Sequence, residues 1–127
     1  MPVEKVDVRN LHHENKVWKN ELLFVADEIQ IYENRLSDLV SEKASPQMLK
    51  RLEQFQNQFI REKEVIDQLK HDVNSHEHTL VEYVRSETGN EDLLVSKHEE
   101  MNERMIIFRK IFAGIKDKFY HFLAEYL

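Results

Sequence analysis

The chain has 127 residues, of which 41% are hydrophobic and 33% charged, a length that fits one domain and a composition too apolar for a disordered tail. Only two glycines and two prolines are present, which excludes a sandwich or barrel with many tight turns, and the lack of cysteine removes disulfides, thiolate nucleophiles, zinc ribbons and iron–sulfur clusters. A net charge of -6, from 18 Lys and Arg against 24 Asp and Glu, argues against nucleic acid as a partner, since neutralising phosphates needs a surplus of cations.

Taken in chain order, the pattern predicts three long helices. The first spans Val6 to Lys43, where Val8, Leu11, Asn15, Trp18, Leu22, Val25, Ile29, Tyr32, Leu36 and Leu39 recur at spacings of three and four. Ser45-Pro46 then supplies an N-cap oxygen and a residue with pre-set φ, so a second helix runs from Pro46 to Glu87. Its row is Leu52, Phe55, Phe59, Glu62, Ile66, Leu69, Val73, His76, Leu80 and Tyr83. Thr88-Gly89-Asn90 offers a glycine for a left-handed helix end and an asparagine cap, followed by acids that favour a helix start, so the third helix spans Glu91 to Tyr126. Its row is Leu94, His98, Met101, Met105, Phe108, Phe112, Ile115, Phe119, Phe122 and Tyr126. Short connections between helices of roughly 55 Å force antiparallel neighbours. The fold class is therefore all-α, with residues 1–127 forming one up-down-up, coiled-coil-like bundle.

The rows are broader than a two-position seam, because Leu23, Phe24, Ile31, Ile60, Val65, Val81, Ile106, Ile107, Ile111, Tyr120 and Leu123 lie beside them. This surplus points to a homodimer, or to the segment Pro2 to Asn10 folding back over it. Gly114 falls outside the core row, at a cost of about 1 kcal/mol relative to alanine unless a close backbone approach compensates. No stretch approaches the roughly 18 uncharged apolar residues that a membrane span needs, and residues 1–10 carry acids in place of a signal sequence, so the expected setting is cytoplasmic.

Four positions in the core rows are polar: Asn15, Glu62, His76 and His98. Glu62 stands level with Glu28 and Lys116, and a salt bridge to Lys116 or another nearby cation is expected. Folding the chain at its two turns brings Asn15, His76 and His98 to a common layer, edged by His12, His13, Glu14, Asp72, Glu77, His78, Glu99 and Glu100. Imidazoles with adjacent carboxylates suit a divalent transition metal, which gives a candidate metal site at His12, Glu14, His76 and His98. The competing reading needs no cofactor: the layer is structural, hydrogen-bonded within itself, and fixes the register of three otherwise slippery helices. No Glu-x-x-His pair of a di-iron bundle occurs, nor any phosphate loop, serine nucleophile motif or zincin helix, so nothing points to an enzyme.

The segments Leu11-His12-His13-Glu14-Asn15-Lys16-Val17-Trp18, Phe24-Val25-Ala26-Asp27-Glu28-Ile29, Phe55-Gln56-Asn57-Gln58-Phe59 and Ile66-Asp67-Gln68-Leu69-Lys70-His71-Asp72 resemble those of small uncharacterised helical proteins found in Bacteroidetes. The resemblance implies a bacterial cytoplasmic setting and carries no activity. The functional expectation is a structural or protein-interaction bundle, partnered by another protein or by itself, with a metal-binding bundle as the alternative.

Overall fold

The computed structural model describes residues 7–40, 44–86 and 89–126, which form three helices: α1 (Val8–Leu39), α2 (Pro46–Ser86) and α3 (Glu91–Tyr126). Each start is set by a side chain that satisfies an otherwise unbonded N–H of the first turn. Asp7 accepts from the Asn10 N–H at 3.3 Å, Ser45 Oγ from Met48 at 3.1 Å, and Asn90 Oδ1 from Leu93 at 3.2 Å. Gly89 takes φ +114°, the left-handed region expected of it.

The first helix is shorter than its pattern predicts. Asp7 takes the cap, so the helix opens at Val8, and Val40 turns to an extended conformation while its N–H bonds Ser37 O at 3.3 Å. The remainder of the expected range, Val6 and residues 41–43, lies outside the described residues, as does Glu87 at the expected end of α2. Val8 to Asn10 begin α1, so these residues do not fold back over the bundle; Pro2 to Val6 are outside the described residues.

Ion pairs across the helices show the topology directly. His12–Glu77 and Glu33–Lys63 run in opposite senses along α1 and α2, as do Asp72–Arg104 and Arg51–Glu125 along α2 and α3. Glu21–Arg109 and Glu28–Lys116 run in the same sense, so α1 and α3 are parallel. The result is an up-down-up bundle. Every residue of the three predicted rows is buried or half-buried, and Met48, one step before the first residue of the α2 row, joins them.

The interior is divided in two. A large cluster runs from Trp18 and Met101 to the far end, where Phe59 and Phe119 meet edge-on with centroids 5.2 Å apart, and Phe55 lies 5.1 Å from Phe122. A small cluster of Leu11, Leu80 and Leu94 closes the other end, flanked by Val8 and Tyr83. Between them lie Asn15, His76 and His98. Outside the core, Leu23, Phe24, Ile31, Ile60, Val65, Val81, Ile106, Ile107, Ile111 and Tyr120 are exposed, so the three helices leave the predicted surplus uncovered; Leu123 alone packs partly inward. No helix among the described residues is long and apolar enough to cross a membrane.

Candidate functional site: the polar layer

The polar layer forms because the heptad register of each helix delivers one hydrogen-bonding residue to the same height. His76 of α2 and His98 of α3 face each other with Nε2 and Nδ1 2.9 Å apart, both nine-tenths or more removed from solvent. One nitrogen must donate and the other accept. The Nε2 of His98 lies 3.4 Å from Glu14 Oε1 of α1, within ion-pair reach, yet has no aligned hydrogen bond. A carboxylate on that side favours the tautomer with the proton on Nε2, which leaves His98 Nδ1 to accept from His76 Nε2–H. The chain of polarity then runs from His76 through His98 to Glu14.

Trp18 closes this arrangement from below, its ring 4.6 Å from that of His98. Sequence periodicity puts Trp18 in register beneath the polar layer, as core or as the lining of a pocket; the structure adds its ring contact with His98. On the opposite flank, Glu77 accepts from His12 Nδ1 at 2.7 Å and from Asn15 Nδ2 at 3.2 Å. Glu77 is the residue that sequence reasoning left at the edge. Its position next to His76, on the flank of α2 that faces His12, is the signal that could have singled it out. Asn15 Oδ1 is buried without a hydrogen bond.

The four residues of the candidate metal site therefore share one layer but divide into two groups. His76, His98 and Glu14 form one line, while His12 is half-exposed and turns to Glu77. The donors meet in pairs, and among the described residues no group of three or more His, Asp or Glu converges where an ion could be held.

Burial pushes the His76 imidazole below the usual histidine range; the charge of His98 acts in the same direction and Glu77 opposes both. A half-open groove of about 580 Å³ between α2 and α3 reaches His76, with Leu94, Met101 and Thr79 on its walls and Arg104 and Lys97 at its rim. A smooth bundle pattern gives no hint of such a groove. It opens where short side chains, Ser75 and Thr79, line α2 beside the small second core.

The remaining polar core residue, Glu62, does not reach Lys116. Lys116 Nζ instead binds Glu28 at 2.7 Å, because Glu28 also accepts from Tyr32 O–H at 2.6 Å and is held in place on the α1 flank facing α3. Burial pushes the Glu62 carboxyl above its usual range, and among the described residues it has no ion-pair partner. Comparison with protein families, with curated proteins and with solved structures found nothing that matches this chain.

Proposed function

We propose that the protein is a structural, protein-interaction module that works as an assembly of helical chains, in the first place with itself, in the cytoplasm. One observation carries this reading: large apolar side chains stand exposed in ordered rows on the outside of a bundle whose own core is already complete. Scattered exposed apolar residues need no explanation, but contiguous ones mark interaction surfaces. Sedimentation equilibrium of the full chain tests it. A mass rising above 15.3 kDa with concentration is expected, and a monomer at about 100 µM would remove the reading, since interfaces of modest area dissociate in the micromolar range.

A second reading, a divalent-metal bundle, draws support from the two buried imidazoles of His76 and His98 beside the Glu14 carboxylate. Elemental analysis of untagged protein decides it: a stoichiometric transition metal supports it, and its absence from protein purified without chelator counts against it.

A further inference from the structure

On α1, Val17, Phe24 and Ile31 are exposed and seven residues apart; on α3, Ile106, Ala113 and Tyr120 repeat the arrangement. Seven residues return a side chain to almost the same side of a helix, so each trio forms a straight row. Each row lies about 130° around its helix from the core stripe, on the flank nearer the other helix, so both rows project straight out from the face that α1 and α3 share. The heights match. Arg109 grips Glu21 with two hydrogen bonds of 2.6 and 2.9 Å, and Tyr120 reaches Tyr32 at 2.8 Å, each pair 88 residues apart. Val17 therefore stands beside Ile106, Phe24 beside Ala113 and Ile31 beside Tyr120. Between the rows lies a groove of about 470 Å³. Among the described residues Phe24 is the most exposed large hydrophobic residue at 68%, and the smallest member of the facing row stands next to it.

We propose that this face is the contact between two copies of the chain, related by a two-fold axis parallel to the helices. Such an axis lays α1 of each copy over α3 of the other without changing height. Phe24 of each copy then seats on Ala113 of its mate, and two-fold symmetry fills both holes at once. The alternative axis, perpendicular to the helices, lays α1 over α1 with heights reversed. Phenylalanine then meets phenylalanine while alanine faces alanine, which overpacks one side of the middle rung and leaves the other void. Charge agrees with the parallel arrangement, because exposed Lys16 beside the first rung comes level with exposed Glu103 of the second copy. Three rungs on two helices cover a strip of about 30 by 20 Å, or roughly 1,200 Å² over both copies, at the lower bound of stable interfaces. This assignment rests on the self-associating reading above and adds to it the face and the symmetry.

The chain has no cysteine, so engineered thiols report cleanly. Phe24→Cys and Ala113→Cys are made in separate chains and oxidised alone and as a mixture, beside sedimentation of the parent, of Phe24→Glu and of Ile60→Glu on the outer face of α2. The mixture is expected to form a disulfide-linked pair readily, while Phe24→Cys alone does not, because a parallel two-fold holds the two α1 helices about 14 Å apart, beyond disulfide reach. Phe24→Glu should weaken association by tenfold or more with unchanged helical circular dichroism, and Ile60→Glu should leave it intact. Rapid linkage of Phe24→Cys to itself would overturn the parallel axis. A dimer that forms neither link and ignores Phe24→Glu would overturn the face and leave the self-associating reading standing. A monomeric parent would remove both.

Discussion

His76 is held neutral by its surroundings, and the consequence is a defined pH response. The groups around it are His98 from α3, Glu77 on its own helix, and Asp72, Glu82, Lys97, Glu100 and Arg104 at the groove, with Glu14 and His12 of α1 reached through His98 and Glu77. Its folded pKa lies below the unfolded value of 6.5, so in the window beneath 6.5 the unfolded chain binds the proton first. The contribution of His76 to stability is thus complete above 6.5 and falls as pH drops through that window. Urea unfolding at about pH 7.5 and about pH 5.5 should show the loss in the parent and a smaller one in the double variant His76→Leu, His98→Leu. That double variant should equal or exceed the parent at neutral pH, whereas His76→Leu alone should lose about 1–3 kcal/mol by leaving His98 buried without its partner. An unchanged pH response in the double variant would show that the layer is not its source. Glu62 acts with the opposite sign. Its folded pKa is raised above 4.5, so it costs stability as pH climbs through 4.5 toward the raised value, and Glu62→Leu should stabilise the bundle by about 1 kcal/mol or more at neutral pH. A destabilised Glu62→Leu variant in thermal melts would reveal a partner for this carboxylate.

At the scale of the helix, the two glycines have opposite roles. Gly89 adopts φ +114°, which an L side chain adopts only with strain, so Gly89→Ala should cost about 1 kcal/mol. Gly114 sits inside α3, and a Cβ built on it meets nothing within 4 Å, so no close approach compensates its backbone freedom. Gly114→Ala should raise the melting temperature, by about 0.5–1 kcal/mol in stability. A loss on Gly114→Ala would mean that an external surface packs there. Helix starts were legible because Ser45, Gly89 and Asn90 are residues whose local chemistry has few other uses. The end of α1 was not, since residues 39–45 carry no glycine or proline, and the helix yields to an extended Val40 without a local signal.

Across the whole molecule, the polar layer separates a long aromatic-rich core from a short one made of Leu11, Leu80 and Leu94. The short end buries far less apolar surface and borders the layer with the unsatisfied Asn15 Oδ1, so it should open locally before the rest. Hydrogen exchange should show weaker protection in residues 8–14, 78–86 and 91–97 than around Phe59 and Phe119, and uniform protection along all three helices would contradict this division. The layer itself was legible, because polar residues at core-row positions are conspicuous and the two turns set their heights. Its internal pairing was not. Whether His98 faces His76 or an ion, and whether His12 turns to Glu77 or inward, depends on side-chain rotamers a few ångströms apart that no spacing encodes.

The sequence by itself determined the three helices, the starts of α2 and α3, and the stripe that each helix buries, because a spacing of three and four residues permits one buried face and sparse turn residues permit few breaks. Tertiary structure decided the rest. Lys116 chose Glu28 over Glu62, a groove opened beside His76, Trp18 came to cover His98, and the rows of Phe24 and Ala113 came level. Each of these is a relation between residues on different helices. Such relations depend on the rotation and height of one helix against another, which are set by packing of the whole bundle and not by any one segment.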